Sequence, residues 1–233
     1  MDNLTKVFND SDNKVEKKAL VVMSGGQDSV TCLYWALRKY SEVNVISFAY
    51  GQKHETEINL AKSICDREDV NFTSLDISSV MINKDSGLLD DTGDVNSLNS
   101  KGLPNSFVPN RNQLFLTLAH SYAQLIGAEY IVTGVCQTDY SGYPDCREEF
   151  IKWLQHTTNL GSQENIKIVT PLMHLTKAET FGLAALMDVL PVIINDTLTC
   201  YNGDLTQNEW GKGCGDCPAC ELRKKGFYEY IGE

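Results

Sequence analysis

The stretch VVMSGGQDSVTCLYW, residues 21–35, decides the fold of this chain. A short apolar run stops at a polar loop with two glycines, and apolar residues at helical spacing follow it. A strand–loop–helix unit of this kind turns backbone N–H groups toward one point at a helix N-terminus, which suits a phosphate. A tight turn with a serine N-cap is the alternative for a glycine pair alone.

Two features separate this loop from the common nucleotide-binding loop. It lacks the Gly-Lys-Ser/Thr ending. It also contains Asp28, whose carboxylate repels a bare phosphate. A carboxylate in this place is explained if it holds Mg²⁺, so we expect Asp28 to be a magnesium ligand.

The rest of the chain repeats the alternation of strand and helix. Apolar patterns predict strands at 19–23, 43–50, 72–77, 130–135 and 166–170, and helices at 28–40, 54–68, 112–126, 148–160 and 177–189. The last helix starts with a predicted capping box, Thr176 with Glu179. This order predicts a parallel sheet covered by helices on both faces, with ligands at the carboxyl ends of the strands. Residues 78–108 lack periodicity and are expected to form a lid, a partner contact or a disordered segment.

Composition narrows the class of substrate. The chain has 233 residues and a net charge of -11. Nucleic-acid binding relies on Lys and Arg, so this balance favours small-molecule substrates over DNA or tRNA. No apolar run reaches the roughly 18 residues of a membrane helix. Residues 1–17 are polar and lack the apolar centre of a signal peptide, so we expect a flexible tail on a cytoplasmic protein with no membrane partner.

Four of the eight cysteines crowd the C-terminal region in the pattern C-x13-C-x2-C-x2-C: Cys200, Cys214, Cys217 and Cys220. Four thiolates with short spacers suit a tetrahedral Zn²⁺ in a closed, structural site. An iron–sulfur cluster is the alternative, although the further cysteine of a ferredoxin run is replaced by Lys224. Four unrelated thiols are a third possibility. We expect 201–213 to form a loop with Trp210 packed over the metal.

A second polar stretch, VTGVCQTDYSGYPDCR at 132–147, follows the fourth predicted strand. Its carboxylates, hydroxyls and aromatic rings could recognise a heterocycle, and a polar turn around Gly142 and Pro144 is the alternative. Arg111, in NSFVPNRN at 105–112, could hold a carboxylate or a phosphate with two hydrogen bonds, or lie in a surface salt bridge.

These motifs carry a resemblance to a known family. SGGQDS resembles the SGGxDS pyrophosphate loop of the N-type ATP pyrophosphatases, which cleave ATP between the α and β phosphates. YGQKHETE, NSFVPNRN, GVCQTDYSGYPDCR, PLMHLTKAET and TCYNG follow in the order found in 7-cyano-7-deazaguanine synthases, and the similarity spans about residues 18–230.

The resemblance implies an adenine-nucleotide α-hydrolase-like (Rossmann-like) α/β fold with a small four-cysteine zinc knuckle. It implies a homodimeric carbon–nitrogen ligase that converts 7-carboxy-7-deazaguanine and ammonia to the nitrile with ATP and Mg²⁺, in queuosine biosynthesis. A tRNA-thiolating enzyme of the same superfamily and a zinc-containing binding module without catalysis are the alternatives. The expected regions are a tail at 1–17, an ATP-pyrophosphatase domain at 18–198, and a zinc-binding segment at 199–233 packed on that domain.

The resemblance also assigns residues. ATP contacts are expected at Met23, Ser24, Gly25, Gly26, Gln27, Asp28, Ser29, Val30, Thr31, Cys32, Leu33 and Lys177. Substrate contacts are expected at Arg111, Asn112, Asp139, Ser141, Tyr143, Asp145 and Arg147. A solvated surface lysine is the alternative for Lys177. His54 is an acid–base candidate, with a structural histidine as the alternative. Asn110 stands where the family usually has Gly, but Asn tolerates the left-handed conformation and the turn should survive.

Overall fold

The computed structural model describes residues 2–51, 56–81, 86, 88–89, 94–99, 102–138 and 143–233. The strands in these ranges are β1 (Val15–Val22), β2 (Tyr40–Ala49), β3 (Asn71–Asp76), β4 (Tyr130–Thr133), β5 (Lys167–Val169), β6 (Gln207–Asn208) and β7 (Gly211–Lys212). The helices are α1 (Asn3–Asp12), α2 (Gln27–Lys39), α3 (Thr56–Arg67), α4 (Arg111–Ile126), α5 (Glu148–Ser162), α6 (Lys177–Leu186), α7 (Leu190–Asp196) and α8 (Pro218–Ile231).

The first five of these strands form one sheet in the order β3-β2-β1-β4-β5, and every neighbouring pair is parallel. The predicted α/β fold with a parallel sheet is therefore confirmed. The chain builds outward from β1 through β2 and β3, then returns to the other side of β1 with β4. In open parallel sheets such a switch leaves a crevice at the carboxyl ends of the two strands. The loops that follow β1 and β4 border this crevice.

The sheet separates two apolar cores, because successive side chains of a strand point to opposite faces. In β1, Ala19 and Val21 lie in one core and Leu20 lies in the other. The first core takes the buried faces of α2, α3 and α6, and the second takes those of α4 and α5. The capping box at the start of α6 is confirmed, since both of its hydrogen bonds are present.

The polar start of the chain differs from the flexible tail expected for residues 1–17. Residues 3–12 form α1, and β1 already begins at Val15. Leu4, Val7 and Phe8 pack against the first core, and the Trp35 indole donates to the carbonyl of Val7 at 2.9 Å. Apolar side chains spaced three and four residues apart form one face of the helix, and this face docks the otherwise polar segment on the core.

The C-terminal region is more regular than expected. Helices α7 and α8 were not predicted, and the segment expected to be a loop at 201–213 contains the short antiparallel hairpin β6–β7. Trp210 lies between the two strands and is buried. Helix α8 packs on α6, where the rings of Phe181 and Phe227 meet edge to face at 5.5 Å.

Only part of the segment 78–108 lies within the described residues. Leu88 and Val95 are buried in the first core, and an isolated bridge joins Leu98 to Pro104. Among the residues described, none of the helices is both long enough and apolar enough to cross a membrane.

Candidate active site

The loop that follows β1 is tightly built. Gly25 has a φ of 94°, and a Cβ there would lie 2.2 Å from the carbonyl oxygen of Glu57, so a larger residue would clash with α3. The Ser29 hydroxyl donates to the carbonyl of Gly26 at 3.0 Å and accepts the N–H of Ser24 at 3.2 Å. These contacts within the protein hold the loop in shape.

Asp28 and Lys177 meet across the crevice although 149 positions separate them. The Lys177 ammonium donates to both carboxylate oxygens of Asp28 at 2.8 Å. Lys177 is buried, so the surface-lysine alternative is wrong. The pair places a buried cation directly beside the loop.

The crevice opens into a cavity of about 330 Å³, within the range of small-molecule sites. Seven of the expected ATP contacts line it: Met23, Ser24, Gly26, Gln27, Asp28, Ser29 and Lys177. Gly25 does not line it. Neither do the four remaining residues, Val30, Thr31, Cys32 and Leu33, because they are completely buried in α2. Their expected contact with ATP is corrected: they attach α2 to the core.

Arg111, at the start of α4, forms the far wall of the cavity together with aromatic residues. Its guanidinium donates to the Tyr50 hydroxyl at 3.3 Å and lies 5.6 Å from the centre of that ring. Phe48 and Phe115 stack beside them with ring centres 4.6 Å apart. Asn110, which precedes α4, adopts the left-handed conformation with φ 61°, as expected at a position where the family usually has glycine.

Tyr143 and Tyr201 close the cavity from the side of the second polar stretch. Their hydroxyls lie 3.1 Å apart, and the hydroxyl of Ser106 is 2.6 Å from that of Tyr143. Asn112 donates its side-chain amide to the Cys146 sulfur at 3.3 Å. Arg111, Asn112 and Tyr143 are therefore brought to one cavity, as expected.

The remaining substrate residues are placed differently. Asp145 is buried and accepts the backbone N–H of Asn112 at 3.2 Å, so it caps α4 instead of lining the cavity of the described structure. Arg147 is exposed at the start of α5, away from this cavity. Asp139, Ser141 and His54 lie outside the described residues.

Glu57 is a cavity residue that the motif analysis did not single out. Burial raises the pKa of its carboxyl group to about 8, against the opposing charge of Arg111. A carboxyl group with such a pKa can take or give a proton near neutral pH. Tyr50, Thr199 and Tyr201 were missed as well. The only sequence signal for these four is that they belong to the quoted motifs YGQKHETE and TCYNG.

The four cysteines of the C-terminal region converge on one point. Their Sγ atoms all lie within 4.8 Å of one another, and those of Cys214 and Cys220 are 3.9 Å apart. The pKa of the Cys200 thiol is lowered because the Cys217 and Cys220 thiols donate hydrogen bonds to it. A Cβ at Gly213 would lie 2.5 Å from Cys220 Sγ and 3.0 Å from the Trp210 ring, so Trp210 covers the cluster as expected. The donor set fits a single metal ion.

Comparison with known proteins agrees with this geometry. Residues 18–231 match the family described as queuosine biosynthesis protein QueC. The chain belongs to the QueC family. It is 49% identical to the 7-cyano-7-deazaguanine synthase of Wolinella succinogenes over 216 residues, which cover 91% of this chain and 93% of that protein.

Two solved structures with a similar fold have much lower identity to this QueC-family chain. The U34-tRNA thiolase NcsA from Methanococcus maripaludis, solved with its 4Fe–4S cluster, has a TM-score of 0.51 and 14% identity, covering 99% of this chain and 71% of the thiolase. A 4-thiouridine synthetase in complex with RNA and ATP has a TM-score of 0.50 and 16% identity, covering 91% of this chain and 53% of the synthetase. At this identity the likeness shows the fold alone.

Proposed function

We propose that this chain is a ligase that converts 7-carboxy-7-deazaguanine and ammonia to 7-cyano-7-deazaguanine with ATP; its 49%-identical relative is named 7-cyano-7-deazaguanine synthase. The observation that carries the proposal is the single cavity that joins the SGGQDS loop to Arg111 and the aromatic wall. An ATP-activating loop and a carboxylate-binding arginine within one cavity are what activation of a carboxylate requires.

ATP binds at the loop that follows β1, in this proposal, with its pyrophosphate at the N-terminus of α2. The backbone N–H groups and the helix dipole favour an anion there. Lys177 adds a buried positive charge next to the loop. Mg²⁺ would be held by Asp28 and would offset charge on the leaving pyrophosphate.

The deazaguanine stacks in the opposite half of the cavity. Phe48, Tyr50 and Phe115 supply flat apolar faces for a purine-like ring. Arg111 supplies the donors that a carboxylate needs. Asn112 and Tyr143 add polar groups at the rim of the same half.

The reaction runs through two activations. A carboxylate oxygen attacks the α-phosphorus of ATP and pyrophosphate leaves; ammonia then displaces AMP and gives the amide. The amide oxygen attacks a second ATP in the same way, and loss of AMP and of both protons on the nitrogen gives the nitrile. Glu57 lines the cavity and can take a proton that the nitrogen loses, while Asp28 holds Mg²⁺ in this proposal.

The four-cysteine cluster holds a structural zinc ion in this proposal. Sγ separations below 4.8 Å suit one tetrahedral ion, whereas a cluster of four irons would hold its cysteine sulfurs further apart. Four protein ligands leave no position for water, so the ion takes no part in catalysis. The enzyme acts in the cytoplasm on small molecules, without nucleic acid or a membrane, and is a homodimer.

Mass spectrometry of the reaction mixture tests the proposal. The metal-loaded protein is incubated with 7-carboxy-7-deazaguanine, ATP, Mg²⁺ and ammonia, and we expect the amide to appear first and the nitrile to follow. Asp28→Asn should abolish turnover, while Asp66→Asn, the same change on the exposed face of α3, should leave it unchanged. Absence of both products with the wild-type protein would refute the assignment.

A further inference from the structure

The C-terminal region contacts the loop that follows β1 just ahead of the first cysteine. Leu198 donates its N–H to the carbonyl of Gly25 at 3.2 Å. The next residue, Thr199, accepts the N–H of Gln27 on its hydroxyl oxygen at 3.2 Å. Gln27 is the first residue of α2, so a side chain next to Cys200 holds one of the free N–H groups at this helix end.

Thr199 is in turn held by Arg223 of α8. The Arg223 Nη1 donates to the Thr199 hydroxyl oxygen at 3.2 Å. A hydroxyl oxygen has two lone pairs, and the N–H groups of Gln27 and Arg223 occupy both. The hydroxyl is therefore fixed in one orientation by two donors that come from different parts of the fold.

Arg223 joins several segments from a completely buried position. Its Nε donates to the carbonyl of Trp210 at 2.9 Å, and its Nη2 to that of Ile193 at 2.7 Å. Among the described residues no carboxylate forms an ion pair with it. Burial lowers the pKa of Arg223 to about 10, while Asp28 and Cys220 act in the opposite direction. A guanidinium that donates to the carbonyls of Trp210 and Ile193 and to the hydroxyl of Thr199 fixes these three segments relative to one another.

We propose that Arg223 is a positioning residue of the ATP site. It fixes the loop after β1 through Thr199, and it links the shape of that loop to an intact four-cysteine cluster. Cys220 precedes Arg223 by one turn of α8, and Trp210, whose carbonyl Arg223 holds, packs over the cluster. Loss of the metal would therefore disturb both Thr199, which lies next to Cys200, and Arg223, which lies one turn after Cys220. The inference rests on the proposed binding of ATP at this loop.

Hydroxyl removal at Thr199 is the sharpest test. Thr199→Val keeps the shape of the side chain but cannot accept either hydrogen bond, whereas Thr199→Ser can. Thr157→Val is the matched control, because Thr157 lies on the exposed face of α5 and its hydroxyl bonds only within that helix. The readouts are the Kd for ATP by calorimetry, the KM for ATP and for the deazaguanine, bound metal per chain, and hydrogen exchange of the Gln27 amide.

We expect Thr199→Val to bind ATP about tenfold more weakly, the equivalent of one lost hydrogen bond to a charged group, with faster exchange at Gln27 and a full metal complement. Its KM for the deazaguanine should change little. Thr199→Ser should recover most of the affinity, and Arg223→Met should resemble Thr199→Val. Wild-type affinity and Gln27 exchange in Thr199→Val would overturn the proposal, even if Arg223→Met failed to fold.

The link to the cysteine cluster has its own test. Removal of the metal with a chelator should weaken ATP binding to the wild-type protein more than to Thr199→Val, because the variant has already lost the connection. Equal losses in both proteins would overturn this link. A wild-type, metal-loaded protein that binds no ATP would instead show that the proposed function is wrong.

Discussion

The pairing of Asp28 with Lys177 predicts a specific response to removal of either charge. The ammonium is 2.8 Å from both carboxylate oxygens, and the side chains are 8% exposed for Lys177 and 28% exposed for Asp28. Removing one partner of a fully buried pair costs roughly 3–5 kcal/mol, and an exposed pair contributes about 0–1 kcal/mol. With one buried and one partly exposed partner, we expect a coupling free energy of about 2 kcal/mol.

A double-mutant cycle measures this coupling. The free energies of unfolding in urea are compared for the wild type, Asp28→Asn, Lys177→Met and the double variant, all metal-loaded and free of nucleotide. Asp28→Asn should be the more destabilising single change, since it removes a counter-charge 2.8 Å from a buried ammonium. The exposed pair Lys62–Asp66 on α3 is the matched control, with an expected coupling below about 0.5 kcal/mol. A coupling at Asp28–Lys177 no larger than that control would refute the reasoning.

Three further predictions follow from other parts of the structure. Folding raises the pKa of Glu57 from 4.5 to about 8. Between these two pH values the folded protein holds a proton that the unfolded chain has lost. The free energy of unfolding should therefore fall with rising pH across this window, by at most about 1.4 kcal/mol per pH unit. Glu57→Gln should remove that slope in urea unfolding at several pH values, and parallel curves for the two proteins would contradict it. Cys217→Ser should reduce the zinc bound by the protein to well below one ion per chain, as measured by mass spectrometry of the metal, and should lower the Tm sharply. A wild-type metal content would count against the four-cysteine site. Ser11→Ala should lower the free energy of unfolding by about 1 kcal/mol, because the buried Ser11 hydroxyl donates to the Phe8 carbonyl and accepts from the Arg38 side chain. An unchanged free energy of unfolding would mean that α1 is not docked on the core.

Much of the fold could be predicted because the strands and helices carry clear periodicity. The start of β1 was placed too late, since Val15 is followed by three consecutive charged residues, Glu16, Lys17 and Lys18. Helix α1 had a signal as well, in the spacing of Leu4, Val7 and Phe8 behind the N-cap Asp2, but the polar composition of the segment concealed it.

The site was predictable where one motif supplies it and less so where distant segments meet. The loop that follows β1 and the cysteine cluster are local in sequence, and their geometry agrees with the motifs. The contact of Lys177 with Asp28 joins residues 149 positions apart, and that of Thr199 with Gln27 joins residues 172 positions apart. Spacing along the chain says nothing about such contacts, because they depend on how helices pack on the sheet.

The account's central claim is that a carboxylate oxygen and then an amide oxygen are adenylated in this cavity. The most direct measurement uses 7-carboxy-7-deazaguanine with both carboxylate oxygens replaced by ¹⁸O. Each oxygen should leave on a separate AMP, so that two singly labelled AMP molecules form for every nitrile. Formation of ADP, or of AMP without the label, would contradict the claim.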